Sequence, residues 1–129
     1  MKVNKLIPEL SVSNINRSRD FYLMLGFEVM YEREYDKFAF LELNGCQIII
    51  QEINGNWNTG KLEFPYGRGI NISVEIKNVD ALYNFLMKRK YPVLSGIMYN
   101  EYEVNGQRFL YKEFLIQDPD GYLLKFFQE

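Results

Sequence analysis

Histidine is absent from this chain, and Cys46 is its single cysteine. The first absence removes the commonest general base and the commonest zinc ligand together, so any chemistry must rest on carboxylates, lysines and aromatic rings. A carboxylate such as Glu9 or Glu75 acts as a base only if burial raises its pKa. A lone thiol with no base beside it reads as a packing group. Ten tyrosines, ten phenylalanines and one tryptophan suffice for a core or for a stacking surface, and composition leaves both open. Fifteen basic residues against seventeen acidic ones give a net charge of -2. That balance provides no cationic field for nucleic acid or an anionic membrane, so a charged partner is expected to be cationic. No apolar run approaches the roughly 20 residues that span a bilayer, and Met1 to Ile7 lacks the apolar stretch of a secretory signal. The expected location is cytoplasmic. One cysteine without a bridge fits a reducing compartment and equally a secreted protein that lacks bridges.

The elements that would position these groups come from an internal repeat. Ile7 to Asn14 (IPELSVSN) overlies Asn71 to Asn78 (NISVEIKN), each a strand ending in an Asn able to cap a helix. Beyond the caps, Ile15, Ser18, Tyr22 and Leu25 recur at the spacing of Val79, Leu82, Leu86 and Arg89, one stripe on each of two amphipathic helices. Gly26 and the Lys90-Tyr91-Pro92 run end them. A hairpin follows each helix: Phe38 to Leu43 and Cys46 to Glu52 around Asn44-Gly45, then Phe114 to Pro119 and Tyr122 to Gln128 around Asp120-Gly121. The expected organisation is one α+β domain of two βαβββ modules, about 1–53 and 69–129, joined by a solvated loop over 54–68 and forming a curved mixed sheet with a cavity.

Strand alternation then assigns faces. The Asn44-Gly45 turn puts Phe38, Phe40, Gln47, Ile49 and Gln51 on one face and Ala39, Leu41, Ile48 and Ile50 on the other, toward the helix. Counting in the same way from Asp120-Gly121 groups Phe114, Ile116, Lys125 and Phe127, and the repeat adds Ile7, Glu9, Ser11, Asn71, Ser73 and Glu75. A face mixing aromatic rings with a few charges is a poor core and a fair binding wall. The second copy is longer than the first, with the extra residues in Met98 to Phe109. That stretch reads as an ordinary long hairpin or as a loop over a ligand. Trp57, in the connecting loop, is an anchor or a chance exposure.

The motifs Ile7 to Val12 (IPELSV), Phe21 to Phe27 (FYLMLGF) and Asp118 to Gly121 (DPDG), together with the repeat, resemble the vicinal oxygen chelate superfamily of glyoxalases, bleomycin-resistance proteins and extradiol dioxygenases. The resemblance implies that fold over essentially the whole chain. It also places the enzymes' metal positions on Ile7, Ile49, Asn71 and Lys125, a set that offers no adequate ligands, so no metal or other cofactor is expected. Among metal-free members the chain is most similar to bleomycin-resistance proteins, which keep Ile-Pro in the first strand and Phe-Ala in the third, as Ile7-Pro8 and Phe38-Ala39 do here. The resemblance implies a homodimer that sequesters a planar, cationic, bleomycin-like molecule without reacting it, and antibiotic resistance as the role. Its groove would be lined by Tyr31 and Phe38. Where that branch often carries Trp before the last hairpin, this chain has Phe109 to Lys112 (FLYK), with Tyr111 as the stacking plane or a different ligand. The candidate ligand-binding set is Glu9, Tyr31, Phe38, Phe40, Tyr102, Glu103 and Tyr111, with no catalytic and no metal residue. The competing readings are a superfamily enzyme of lyase or dioxygenase type with a relocated metal or none, and a small-molecule sensor.

Overall fold

The computed structural model describes all of residues 1–129. The chain divides into two compact units, 1–66 and 67–129, with the border between Tyr66 and Gly67 at the far end of the expected connecting loop. Each unit holds one helix and one four-stranded mixed sheet. No helix is long and apolar enough to cross a membrane.

The two helices start as the asparagines require. Asn14 and Asn78 are extended (φ -149° and -146°), and the side-chain oxygen of each accepts from the backbone N–H three residues on, Arg17 and Ala81, at 3.0 Å in both cases. Helix α1 (Ile15–Leu25) ends at Gly26 in the left-handed conformation (φ 109°). Helix α2 (Val79–Lys88) has no glycine to stop it, and Lys90 takes the left-handed turn instead (φ 58°), ahead of Pro92. A further pair of caps repeats across the modules. Ile15 N donates to Glu52 Oε1 at 3.1 Å, and Val79 N donates to Gln128 Oε1 at 2.6 Å, so the last strand of each unit holds the first N–H of its helix.

In the first unit, β1 (Glu9–Val12), β2 (Glu28–Arg33), β3 (Phe38–Leu43) and β4 (Cys46–Glu52) lie in the order β1-β4-β3-β2, with β1 parallel to β4 and the other pairs antiparallel. A 3₁₀ turn at Glu34–Asp36 joins β2 to β3. Asn44 and Gly45 are both left-handed (φ 51° and 81°), the pair that a tight hairpin needs, and Leu43 faces Cys46 and Phe40 faces Ile49 as counted from the sequence. Leu10, Val12, Ala39, Leu41, Ile48 and Ile50 are buried together with Phe21, Tyr22 and Leu25 of α1, which packs on β3 and β4. Tyr22 meets Phe21 and Phe27 edge-on at 5.0 and 5.4 Å.

Ser18 is buried in this helix with no hydrogen-bond partner for its hydroxyl. An unmade buried hydrogen bond costs about 1–3 kcal/mol, and alanine is the better helix former. Ser18→Ala is therefore expected to stabilise the fold by about 1 kcal/mol; a loss of stability in urea denaturation would contradict the burial of an unpaired hydroxyl.

The second unit orders β5 (Asn71–Glu75), β6 (Val93–Val104), β7 (Gln107–Gln117) and β8 (Leu123–Gln128) as β5-β8-β7-β6. Its last hairpin corrects the sequence-based count. β7 and β8 are joined through residues 118–122, with Gln117 facing Leu123, rather than by Asp120-Gly121 alone. Asp118 builds this wider turn: its Oδ1 accepts from Asp120 N and Tyr122 N at 2.9 Å each, and its backbone N–H donates to Tyr122 O. Phe114 thus faces Phe126, not Phe127, and Ile116 faces Leu124, not Lys125. Phe114 and Ile116 are consequently core residues, both 0 % exposed, with the Phe114 ring 5.5 Å from both Tyr83 of α2 and Phe126. Their expected place on the open face is taken by Glu113 and Leu115. The long insertion is a hairpin of β6 and β7 around Asn105-Gly106, again both left-handed (φ 51° and 82°).

The Glu52 carboxylate accepts from Lys37 Nζ at 2.8 Å as well as from Ile15 N, and these bonds hold its pKa below the ordinary value of 4.5. Because the folded pKa is depressed, the stabilisation is complete above about pH 5 and is lost as pH falls through the folded value. Glu52→Gln should lose less melting temperature than wild type between about pH 5 and pH 3, and an equal loss in both proteins would show that the carboxylate charge does not cap α1.

Candidate functional site

In the first unit, the face of the sheet turned away from α1 carries an aromatic shelf. A bulge between Val29 and Tyr31 shifts the β2–β3 register, so that Tyr31 faces Phe40 and Arg33 faces Phe38. Without the bulge, continuing the pairing of Glu28 with Glu42 and Val29 with Leu41 would set Tyr31 opposite Ala39, on the helix side. With it, the Tyr31 ring stacks on Phe40 (5.2 Å, 11° between planes) and on Phe38 (5.7 Å, 26°). The Arg33 guanidinium lies 3.9 Å over the Phe38 ring and donates to Asp36 Oδ2 at 3.0 Å. Phe38 and Phe40 are buried beneath, and Tyr31, 39 % exposed, is the ring presented to solvent.

Glu9 is exposed on the same face of β1, beside Ile49 in register, and it borders a narrow cleft shared with Ser11, Gln51 and Trp57. Leu10 and Glu52 of the helix side line the cleft too, so Trp57 stands at the edge of the sheet beside β1. Gln47, expected on that face too, is buried beneath the amino-terminal segment: Asn4 N donates to its Oε1, and its Nε2 donates to Lys2 O, both at 2.7 Å. Residues 2–4 close that end of the shelf.

In the second unit, Asn100, Tyr102, Tyr111 and Glu113 share one face of the β6–β7 hairpin, because Asn100 faces Tyr111 and Met98 faces Glu113 in register. The rings of Tyr102 and Tyr111 are 5.4 Å apart, and Tyr111 stacks on Phe127 (5.3 Å, 26°). Beneath them is a carboxylate. Glu113 is 1 % exposed, and its Oε1 accepts from Tyr102 Oη and, at 2.5 Å, from Asn100 Nδ2. Its Oε2 has no hydrogen-bond donor, the nearest charge being Lys125 Nζ at 3.7 Å. The bond to Glu113, more than burial, raises the Tyr102 phenol above its ordinary range.

Glu103 does not join this group. It is one residue along β6 from Tyr102 and faces Arg108, so alternation puts it on the opposite face with Glu101, whose carboxylate lies 3.3 Å from Arg108 Nη1. The candidate residues therefore fall into two sets, Glu9, Tyr31, Phe38 and Phe40 in one unit and Tyr102 and Tyr111 in the other, with Glu103 excluded. Glu113, Asn100 and Arg33 were not among the sequence candidates. The Asn105-Gly106 dipeptide carries the same turn signal as Asn44-Gly45, and counting outward from it places Asn100, Tyr102, Tyr111 and Glu113 on one face.

The four positions that the resemblance assigns to the enzymes' metal offer no set of donors. Ile7 and Ile49 are hydrocarbon, Lys125 is a cation engaged with Glu113, and Asn71 is a lone amide. Nor do three His, Cys, Asp or Glu side chains converge elsewhere in a metal-binding arrangement.

Two copies of a βαβββ unit, each with a helix on one sheet face and aromatic and polar groups on the other, define a glyoxalase/bleomycin-resistance fold. Sequence similarity to bleomycin resistance proteins supports a place in the vicinal oxygen chelate superfamily. The chain is 28% identical over 133 residues to the bleomycin resistance protein of Geobacillus stearothermophilus, covering 95% of each chain, and the same holds for that of Staphylococcus aureus. Among solved structures, TioX from Micromonospora sp. ML1 superposes with a TM-score of 0.74 at 15% identity over 98% of both chains. A glyoxalase/bleomycin resistance protein/dioxygenase from Alicyclobacillus acidocaldarius gives 0.65 at 19% identity, covering 96% of this chain and 89% of that one. No protein-family profile matches the sequence.

Proposed function

We propose that this protein is a metal-free, cytoplasmic binding protein of the bleomycin-resistance type, which acts as a homodimer and sequesters a planar, cationic antibiotic or a similar small molecule without reacting it. The observation that carries this reading is the shelf of Tyr31 over Phe38 and Phe40 on the open sheet face, in a chain whose superfamily metal positions hold no ligand set. Stacked rings with one face exposed bind flat molecules by dispersion and burial. The 28% identity over 95% of a protein named for bleomycin resistance supports the ligand class, and the net charge of -2 suits a cationic one.

Titration calorimetry with metal-free bleomycin tests the proposal, with micromolar or tighter binding and unchanged recovered ligand as the expected result. No binding at millimolar concentration would remove the resistance role. Elemental analysis showing one tightly held transition metal per chain would overturn the metal-free reading, and a monomer in light scattering at micromolar concentration would overturn the dimer.

A further inference from the structure

The buried carboxylate of the second unit says more about what such a ligand would look like. Glu113 is fully desolvated, yet only one of its oxygens is served by donors, Tyr102 Oη and Asn100 Nδ2. The other, Oε2, makes no hydrogen bond. An orphaned acceptor on a buried ion is costly, and in a folded protein it calls for a partner such as a water, an ion or a ligand. Three aromatic rings, Tyr102, Tyr111 and Phe127, stand together beside it. Its rim is adjustable: Tyr102 is 38 % exposed, and the Lys125 side chain, 27 % exposed, ends in an ammonium on a flexible stem.

The charges of Glu113 and Lys125 cancel, and their facing atoms form an acceptor and a donor 3.7 Å apart. A full cation placed there would meet the ammonium, and a full anion would meet the carboxylate. A neutral planar group with an N–H and a C=O side by side satisfies both at once: its N–H donates to Glu113 Oε2, its oxygen accepts from Lys125 Nζ, and its flat body lies against the rings. We propose that Glu113 and Lys125 form a subsite for a neutral aromatic carboxamide, or for a lactam-type heterocycle of the same donor–acceptor pattern. This deepens the binding function proposed above and rests on it, with the cationic part of the ligand left to other carboxylates.

Three probes of nearly the same shape that differ in charge and in donor–acceptor pattern test it: benzamide, benzamidinium and benzoate, titrated into the whole chain by NMR with shifts read at residues of β7 and β8. Benzamide is expected to bind wild type about tenfold more tightly than either charged probe, the margin of one well-made hydrogen bond to a charged group. Lys125→Met leaves the carboxylate uncompensated and should turn the preference to benzamidinium. Glu113→Gln leaves the ammonium uncompensated and should turn it to benzoate. Thermal melts of both variants establish that they are folded, and Lys125→Met, at a partly exposed position, keeps the test open if Glu113→Gln is not. An order of affinity that is the same in wild type and variants, a wild-type preference for a charged probe, or no binding of any probe at millimolar concentration overturns the subsite. If bleomycin binds while the probes fail, the subsite falls and the sequestration reading stands; if the probes swap as described and bleomycin does not bind, the reverse holds.

Discussion

Phe114→Ala is expected to cost about 3–5 kcal/mol of folding stability, the range for deleting a buried phenylalanine, and to leave ligand affinity of the folded fraction unchanged. Phe114 is fully buried between Tyr83 of α2 and Phe126 of β8, so truncation removes both ring contacts and opens a cavity between helix and sheet that its neighbours fill only in part. Its neighbour Leu115 is half-buried on the opposite face, paired with Lys125, and Leu115→Ala should cost distinctly less. Urea denaturation of the two variants decides between the wide turn over 118–122 and a tight turn at Asp120-Gly121. In the tight-turn register the two residues exchange faces, so a small loss for Phe114→Ala accompanied by weakened ligand binding would show that the sheet pairs that way.

The second large effect concerns the rings presented to a ligand. Tyr31→Ala and Tyr111→Ala should each weaken binding of a planar ligand by roughly threefold to tenfold, since an offset stack is worth about 0.5–1.5 kcal/mol beyond burial. Glu103→Gln should change it by less than about twofold, because an exposed carboxylate contributes about 0–1 kcal/mol even when it faces a cation, and Glu103 lies on the other side of the hairpin with Arg108. Glu9→Gln is intermediate: its carboxylate is exposed on the shelf face, and added salt should erase whatever it contributes. Tyr31 is a cleaner probe than Phe38, whose ring is buried under Arg33 and whose loss would damage the fold together with the site. Calorimetry giving a larger loss for Glu103→Gln than for Tyr111→Ala would contradict the assignment of faces.

These expectations also mark where sequence reasoning was sufficient. The repeat, both Asn caps, the Gly26 stop and the first hairpin were all legible, because each rests on a local rule. A short polar side chain caps the helix that follows it, only residues tolerant of positive φ turn a tight hairpin, and apolar residues at helical spacing define a buried stripe. The register over 38–52 followed from Asn44-Gly45 because that turn has two residues and no freedom. Charge, the missing histidines and the hydrocarbon at the metal positions were likewise present in the sequence.

Only the tertiary structure decided the parts of the candidate site where a single residue shifts a whole strand. Side chains alternate with period two, so one extra residue in a turn or a bulge moves every following side chain to the other face. The bulge between Val29 and Tyr31 places Tyr31 on the shelf, and the Asp118-centred turn exchanges Phe114 and Ile116 for Glu113 and Leu115. The bulge is held by packing that exists only once the strands have paired, whereas the turn is built from local hydrogen bonds of Asp118 that counting outward from Asp120-Gly121 leaves out. The same holds for burial. Gln47 is covered by Lys2 and Asn4, and Glu113 is enclosed by Asn100, Tyr102 and Lys125; these partners lie from about a dozen to more than forty positions away in the chain, and only the folded chain brings them into contact.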